Sequence, residues 1–417
     1  MVDASDAGPS TSYTAFRKTE KHFKNRSSQS RLPTLYACEA SRAALDVSRP
    51  DRQEDDPVWQ ASWWGAEQQN VRRRFQRDKG KRPELSEVPR EVRCGSKTGY
   101  VVSEGCILLP GYLDNEAQLD LLEAALSQYT LPPNPLSIST HYDLPPNLFE
   151  MYANESKELI PTLAPCAETP ESTGKEKPAE RWIGRKTVDT PAGHVVGYEE
   201  ILSKNRQWTA DPPSEKLGSK TAGELMKEMR WANLGWVYQW SVKSYDFRPD
   251  SPITFPPNLS TLCVEVVKSV PWDHVLSADS NVGHKAWVND YVPDTGIVNF
   301  YQTNDTLMAH VDRAELDPSR PLVSVSLGHA CVFLLGTSSR DDQPLPIILR
   351  SGDVLVMSGT GRQNYHGVPR IMEGTLPSHF EPSEKDSVAL SAAKRWIHGG
   401  RININARQVF PPGFKRV

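Results

Sequence analysis

The 417-residue sequence is poor in cysteine and has no long apolar run. Its six cysteines are scattered without a Cys-x-x-Cys pair, which argues against a zinc ribbon or a disulfide framework and favours a reducing compartment. No segment approaches the roughly 20 consecutive apolar residues that a membrane span requires. The N-terminus has neither the basic nor the apolar segment of a secretory signal. We therefore expect an intracellular protein with no membrane partner, in the nucleus or the cytoplasm, with the mitochondrion and the oligomeric state left open.

An overall excess of positive charge is also absent, because the formal net charge is -4. Basic residues are nevertheless concentrated in residues 17–31 and 72–82, and such local segments can bind a polyanion even in an acidic protein. The alternative is a solvated surface or a flexible tail, which is the commoner role of a charged run. Because residues 1–95 are also rich in serine, proline, arginine and aspartate, we expect a basic, partly disordered N-terminal extension.

The remaining sequence divides into a mixed scaffold and a β-rich core. Residues 96–230 carry helix signals, including an N-cap at Asp114 and a capping box at Thr221, and we expect a disordered insertion near residues 155–180. Residues 231–417 contain short apolar strands separated by turn signals, among them a predicted hairpin about Ser351–Asp353. The pattern predicts an α+β protein with a sandwich or jelly-roll core and flanking helices.

Candidate metal ligands occur on two predicted strands that are close in sequence. Strand side chains alternate, so Asn299 and Tyr301 share one face of the first strand. His310 and Asp312 share one face of the second, and a jelly roll can bring His366 from a later strand beside them. Two histidines and one carboxylate form the facial triad of non-haem iron, which leaves open positions for a co-substrate and dioxygen. Because such combinations are common, hydrogen-bonded structural histidines are the alternative.

The strand RININAR near the C-terminus has four polar side chains on one face: Arg401, Asn403, Asn405 and Arg407. Two inward guanidinium groups would suit a polar cavity, because arginine can hold a carboxylate through two parallel hydrogen bonds. The alternative is a surface strand with a solvated charged face. Together with Asn299 and Tyr301, this strand predicts a carboxylate-binding cluster next to the iron site.

Aromatic residues are dense in the segment RWANLGWVYQW, which leads into the predicted core. Such density is typical of core packing or of a cross-strand aromatic ladder. The alternative is a stacking surface for a planar ligand such as a nucleobase. Both interpretations can hold for different residues of the segment.

Several of these motifs together resemble the AlkB family of iron(II)- and 2-oxoglutarate-dependent dioxygenases. The matching segments are NFYQTNDTLMAHVDRAELD, RPLVSVSLG, SGDVLVMSG, NYHGVPR and RININARQV, and RWANLGWVYQW is similar to the AlkB homologue 1 group in particular. The resemblance implies a double-stranded β-helix core. It implies that iron(II) is bound by His310, Asp312 and His366. It also implies that 2-oxoglutarate is bound by Asn299, Tyr301, Arg401, Asn403 and Arg407.

The reaction implied by the resemblance is oxidation of a methyl group on a nucleobase. Dioxygen is a co-substrate, and formaldehyde, succinate and carbon dioxide are released. The resemblance further implies that Arg401 pairs with the distal carboxylate of 2-oxoglutarate, and that Trp236 and Arg340 contact the substrate. The bacterial repair enzyme has an acidic residue where this chain has Ala314, so that enzyme's substrate preference does not transfer. Methylated tRNA and N6-methyladenine in DNA are both retained as substrates.

Two other functions are compatible with these residues. An oxygenase with the same iron core could hydroxylate a protein side chain or a small molecule, although the aromatic segment and the basic segments favour nucleic acid. A protein of a different class could bind nucleic acid, or cleave abasic sites through lysine chemistry, without iron. Replacement of His310 separates the last function from the others, because only the iron-dependent activities would be lost.

Overall fold

The computed structural model describes residues 14–24, 45–47, 89–163, 196–210, 212–214, 216–249, 251–280, 282–312 and 314–415. Most of the predicted N-terminal extension, and residues 164–180 of the predicted insertion, lie outside the described residues. Residues 155–163 of that insertion include a short strand, Leu159–Ile160, which pairs with Lys220–Thr221. This part of the predicted insertion therefore belongs to the folded scaffold.

Helices flank the sheets on several sides. In the described residues they are α1 (Ala15–Lys24), α2 (Asn115–Ser127), α3 (Leu148–Ala153), α4 (Tyr198–Gln207), α5 (Ala222–Glu228), α6 (Pro257–Ser269), α7 (Trp272–Val275), α8 (Trp287–Asp290) and α9 (Val388–Ile397). Short 3-10 turns are formed by His284–Ala286, Gly359–Gln363 and Ser378–Phe380. No helix in the described parts of the chain has both the length and the apolar character needed to cross a membrane.

Strands occupy most of the C-terminal half of the chain. Those in the described residues are β1 (Arg90–Cys94), β2 (Lys97–Ser103), β3 (Cys106–Leu109), β4 (Leu159–Ile160), β5 (Lys220–Thr221), β6 (Trp231–Gly235), β7 (Tyr238–Gln239), β8 (Ser244–Tyr245), β9 (Thr295–Gln302), β10 (Leu307–His310), β11 (Leu322–Gly328), β12 (Cys331–Leu335), β13 (Leu345–Leu349), β14 (Val354–Met357), β15 (His366–Ile371) and β16 (Gly400–Arg407). The short pairs β4–β5 and β7–β8 form separate two-stranded ladders.

From β9 onward, the strands are divided between two facing sheets. The larger sheet has the order β1-β2-β3-β14-β11-β16-β9-β6, and the smaller sheet has the order β10-β15-β12-β13. Their ladders are antiparallel. This arrangement confirms the predicted α+β fold with a double-stranded β-helix core. Because β3 pairs with β14, the predicted scaffold and the predicted core share one continuous sheet.

The apolar core covers the outer face of the larger sheet. Ile402 and Ile404 of β16 are fully buried there beside Val325 of β11, in contact with helices α2, α6 and α9. The alternate side chains of the same strands point toward the smaller sheet. One strand therefore supplies an apolar outer row and a polar inner row.

Helix α1 packs on the outer face of the smaller sheet, although it belongs to the predicted N-terminal extension. Phe16 and Phe23 are fully buried there, in a cluster with Val332 of β12. Glu20 Oε1 accepts a hydrogen bond from the Ala309 amide at 2.7 Å. These contacts attach a segment from the start of the chain to β10.

Two local helix predictions are confirmed. The Asp114 carboxylate accepts a hydrogen bond from the Ala117 amide at 2.9 Å and begins α2. Thr221 and Glu224 exchange the hydrogen bonds of a capping box at the start of α5. Both motifs depend on neighbours within four residues, which is why the sequence alone predicts them.

The hairpin predicted about Ser351–Asp353 is wrong. The chain does turn there, and Asp353 accepts hydrogen bonds from the Arg350 and Gly111 amides, each at 2.8 Å. However, β13 pairs with β12 in the smaller sheet, while β14 pairs with β11 and β3 in the larger sheet. Turn residues specify that the chain reverses, but they do not specify which strands pair.

Candidate metal and co-substrate site

Three side chains that can bind a metal converge where β10 pairs with β15. His310 is the last residue of β10, Asp312 lies two residues later, and His366 is the first residue of β15. The pairing places the two histidines opposite each other, with ring centroids 4.4 Å apart. One ligand atom from each of the three residues lies within 4.8 Å of the others, and no second group of this kind occurs among the described residues.

The two imidazoles are held with one nitrogen directed toward Asp312. His310 Nδ1 lies 2.9 Å from the Met308 carbonyl, and His366 Nδ1 lies 3.1 Å from the Asn364 carbonyl. A carbonyl can only accept, so each Nδ1 donates a hydrogen bond to it, and the Nε2 atoms are left on the side of Asp312. The Nε2 atoms lie 3.8 and 3.7 Å from the two carboxylate oxygens of Asp312. Burial, with a smaller effect of the facing histidine, lowers the pKa of His366 to about 4, which keeps it in the neutral form that binds metals.

Asp312 remains ionised in this enclosed position. Burial by itself would raise the pKa of its carboxyl group, but nearby positive charge outweighs that effect and holds the pKa well below its usual range. The largest favourable contribution comes from Arg407, whose Nη1 lies 3.2 Å from Asp312 Oδ1. The site therefore offers two imidazole nitrogens and one anionic oxygen donor, which is the donor set of non-haem iron sites.

The polar row of β16 faces the cavity between the sheets. Arg401 lies opposite Tyr301 of β9, and Asn403 lies opposite Asn299. Arg401 and Arg407 are only 1% and 4% exposed. The alternative of a solvated charged surface strand is therefore wrong for β16.

Arg401 is fixed by two hydrogen bonds, one from each terminal nitrogen of its guanidinium group. Its Nη1 donates to the His329 carbonyl at 2.8 Å, and its Nη2 donates to Ser326 Oγ at 2.7 Å. The buried Nε of Arg401, like that of Arg407, has no partner among the residues that the structure describes. Buried donors are normally satisfied, so these two N–H groups fit a ligand that carries anionic oxygens. A dicarboxylate such as 2-oxoglutarate has that chemistry.

The two amides of β16 are held by neighbouring groups. Asn403 Nδ2 donates to Ser324 Oγ at 2.9 Å and to the Val325 carbonyl at 3.0 Å. Asn405 Nδ2 donates to Asn403 Oδ1 at 2.9 Å. Burial raises the pKa of the Tyr301 hydroxyl, which therefore stays a neutral donor. Hydrogen bonds within the protein therefore fix the amide side chains of the β16 wall without a ligand.

Every residue predicted to bind the metal or the co-substrate lines a single cavity between the two sheets. The rest of its wall is formed by Trp240, Ile297, Leu307, Leu322, Ser324, Cys331, Phe333, Leu349, Leu355, Met357, Val368 and Asn405. Most of these side chains are apolar. The cavity therefore combines a charged row along β16 with a surface that excludes water.

The two residues predicted to contact the substrate are not in this wall. Trp236 is 4% exposed and makes edge contacts with Phe247 and Phe410, so the base stacking predicted for it does not fit its position. The guanidinium of Arg340 lies 4.6 Å from the centre of the Tyr365 ring, next to α1 on the outer side of the smaller sheet. Arg340 is therefore outside the cavity wall, and its contact with the nucleic-acid substrate stays a prediction.

Trp240 is the residue of the aromatic segment RWANLGWVYQW that lines the cavity. It is 42% exposed at the turn between β7 and β8, and its ring centre lies 5.1 Å from that of Tyr238. The aromatic segment therefore contains both core and cavity residues, as the sequence allowed. Strand alternation could not separate them, because a bend at Gly235, with a φ of 69°, comes before Trp236.

A buried ion-pair network behind Asp312 was not predicted. Glu315 and Arg362 have side-chain exposures of 0% and 1% and lie 3.0 Å apart, and the Tyr245 hydroxyl donates to Glu315 at 2.9 Å. Ala314 is itself buried in the aromatic cluster around Trp236. Position 314 is an alanine, and Glu315 does not line the cavity, so neither position provides an acidic group there. Tyr245 and Arg362 come from distant segments, and no local pattern marks them.

The fold and the site define a class of protein, and the sequence comparison agrees with it. Residues 198–407 match the family model described as the 2OG-Fe(II) oxygenase superfamily. The chain belongs to this superfamily, whose members use Fe(II) and 2-oxoglutarate, with dioxygen as the oxidant.

Comparison with individual relatives identifies the family within this superfamily. The chain is 30% identical over 312 residues to "tRNA demethylase abh1" of Schizosaccharomyces pombe, covering 74% of this chain and 80% of that protein. It is 36% identical over 196 residues to "DNA N(6)-methyladenine demethylase ALKBH1A" of Arabidopsis thaliana, covering 46% and 52%. It is 32% identical over 203 residues to human "Nucleic acid dioxygenase ALKBH1", covering 44% and 47%, so it spans about half the length of the last two proteins. Within the superfamily, the chain is an ALKBH1-like dioxygenase of the AlkB family.

Proposed function

We propose that this chain is a nucleic-acid demethylase that oxidises methyl groups on nucleobases. One observation carries the proposal: the His-Asp-His group and the arginine row of β16 face the same cavity, and the exposed ring of Trp240 lies in its wall. The products would be the demethylated base, formaldehyde, succinate and carbon dioxide.

His310, Asp312 and His366 would hold Fe(II) through two neutral imidazole nitrogens and one carboxylate. Bound iron, together with 2-oxoglutarate and dioxygen, supplies the oxidising power for hydroxylation of the methyl group. Arg407 contacts Asp312 and would bind the carboxylate of 2-oxoglutarate nearer the metal. Arg401 lies at the other end of the row, opposite Tyr301, and would bind the distal carboxylate. A rigid arginine row suits this role because guanidinium groups bind carboxylates in a fixed orientation.

The apolar part of the wall would keep water away from the reacting methyl group. Phe333 of the smaller sheet and Leu355 and Met357 of the larger sheet line the cavity and are at least nine-tenths buried. A water-poor cavity strengthens the charge interactions inside it and limits side reactions. The protein would thus contribute orientation and exclusion of solvent.

Nucleic acid would approach from the side of Trp240 and α1. Lys18, Lys21 and Lys24 are exposed on α1, and Lys24 Nζ lies 3.5 Å from Thr306 Oγ1 in the loop before β10. Positive charge beside a cavity attracts a phosphate backbone, and an exposed tryptophan can stack on an unpaired base. A base would have to leave its stack, or come from a single strand, to reach the metal.

The relatives leave the type of nucleic acid open. One is named a tRNA demethylase and another a DNA N6-methyladenine demethylase, and we propose both substrates for this chain. For its location, we propose the nucleus or the cytoplasm and leave the mitochondrion open.

The proposal is tested with purified protein, Fe(II), 2-oxoglutarate and a panel of methylated RNA and DNA oligonucleotides. We expect formaldehyde and succinate in equal amounts with a methylated strand, and neither above background with the matched unmethylated strand. The His310→Ala variant should be inactive. Strand cleavage that persists in this variant would instead indicate an iron-independent lyase, and coupled turnover with peptides alone would indicate a protein hydroxylase.

A further inference from the structure

The buried carboxylate of Glu315 lies next to the site without lining the cavity. Its Oε2 lies 3.0 Å from Arg362 Nη2, and its Oε1 lies 3.2 Å from Arg407 Nη1. The Tyr245 hydroxyl donates to Oε1 at 2.9 Å. Glu315 therefore contacts one cavity residue, Arg407, from behind.

Arg407 is shared between two carboxylates. The same Nη1 lies 3.2 Å from Glu315 Oε1 and 3.2 Å from Asp312 Oδ1, while the buried Nε has no partner in the described part of the chain. A guanidinium group is planar, so contacts at one nitrogen restrict the direction of the others. The contact with Glu315 thus restricts the orientation in which Arg407 presents its remaining donors to the cavity.

The charges of this cluster are balanced. Asp312 and Glu315 are negative, and Arg362 and Arg407 are positive, in a region where each of the two arginines is less than 5% exposed. Without Glu315, a net positive charge would remain beside Asp312. Because interactions between buried charges are weakly screened, that charge would oppose binding of a divalent cation.

We propose that Glu315 is a positioning residue that orients Arg407 and keeps the metal-binding carboxylate in a neutral surrounding. It would act on both ligands, through Arg407 on 2-oxoglutarate and through charge balance on the metal. This inference rests on the proposed function, because it takes Asp312 as a metal ligand and Arg407 as a contact of 2-oxoglutarate.

The test measures binding of Mn(II), and then of 2-oxoglutarate to the Mn(II)-loaded protein, by titration calorimetry. For Glu315→Gln, we expect each dissociation constant to rise about tenfold, which is the lower end of the range for residues that support a metal ligand. Asp386→Asn is the matched control, because it removes a carboxylate of 7% side-chain exposure from an ion pair with Lys394 that is outside the cavity wall. Both constants should stay within about twofold of the parent in this control.

The double variant Glu315→Gln, Arg362→Gln separates the two effects and guards against misfolding of the single variant. It restores charge balance but leaves Arg407 without its rear carboxylate. We expect Mn(II) affinity to return to within about threefold of the parent, while 2-oxoglutarate affinity stays about tenfold weaker. Parent-like 2-oxoglutarate affinity in a folded single or double variant would overturn the inference. A parent protein that binds neither Mn(II) nor 2-oxoglutarate would overturn the proposed function itself, so the two failures are distinguishable.

Discussion

The closed end of the cavity and its open mouth are built from different kinds of structure. At the closed end, Arg401 and Tyr301 lie on long paired strands, and their positions are fixed by the β9–β16 register. At the mouth, Trp240 lies between two strands of only two residues each. The comparison indicates that regular strands carry the chemistry common to the superfamily, while irregular segments carry the contacts that select a substrate.

Removal of a metal ligand at the closed end should have the largest effect on activity. We expect Asp312→Ala to lower turnover by at least about 10³-fold, because the anionic donor of the metal site is lost. Formaldehyde release measures the activity, and Mn(II) calorimetry should show that binding is lost as well. Circular dichroism and thermal unfolding provide the control for folding. Turnover within tenfold of the parent would contradict the assignment of Asp312.

Arg401→Lys should have the next largest effect. Lysine keeps the charge but cannot donate to the His329 carbonyl, to Ser326 Oγ and to a carboxylate in the fixed geometry of guanidinium. We expect KM for 2-oxoglutarate to rise about 30-fold, with a smaller change in KM for the oligonucleotide.

Ser326→Ala is the control for this substitution. It removes one partner of Arg401 and leaves the guanidinium in place, so KM for 2-oxoglutarate should rise only about threefold. Equal effects of the two variants would indicate that Arg401 acts through packing and not through contact with the co-substrate.

The β9 and β16 residues of the closed end could be predicted from sequence because they occupy strand positions, whereas Asp312 lies two residues beyond the end of β10. Period-two alternation placed Arg401 and Arg407 on one face of β16, and the structure buries both. The same alternation put the apolar residues of β16 in the core. The alternation does not specify which strands lie beside β16. That information comes from the predicted jelly-roll fold.

The mouth could not be predicted in the same way. Trp236 and Trp240 are equivalent by composition, but Trp236 lies in the buried connection between β6 and β7, whereas Trp240 lies in the exposed turn after β7. The contacts of Glu315 with Tyr245 and Arg362 join segments that are distant in sequence, so no local pattern reports them. The turn between β13 and β14 does not form the predicted hairpin, because strand pairing is a property of the whole fold.

The difference between the two tryptophans can be measured directly. Trp240→Ala should raise KM for a methylated oligonucleotide about tenfold, since stacking of one base on an aromatic ring contributes ~1–3 kcal/mol. The free energy of unfolding should change little, because Trp240 is 42% exposed. Trp236→Phe should do the reverse, lowering stability by about 1 kcal/mol with less than a twofold change in KM. A larger KM effect for Trp236→Phe would return the stacking role to Trp236.

Asp294 connects β16 to the aromatic segment, and its substitution should give the smallest of these effects. Its backbone amide donates to the Arg407 carbonyl at 3.1 Å, and its own carbonyl accepts from the Trp236 amide at 3.1 Å. The side chain accepts from the Val409 amide at 2.6 Å. Burial nevertheless raises the pKa of this carboxyl group to about 7, because it outweighs the stabilising backbone hydrogen bonds.

A raised pKa means that the folded protein binds this proton more tightly than the unfolded chain does, so stability falls as the pH rises through about 7. From pH 6 to pH 8, the parent should lose about 1 kcal/mol of unfolding free energy through this group alone. Asp294→Asn retains an oxygen that can accept from the Val409 amide but does not titrate. Urea unfolding of both proteins should therefore show the variant gaining about 1 kcal/mol relative to the parent between pH 6 and pH 8. Parallel pH profiles would mean that Asp294 is ionised throughout this range, and that the junction between β16 and the aromatic segment tolerates a buried charge.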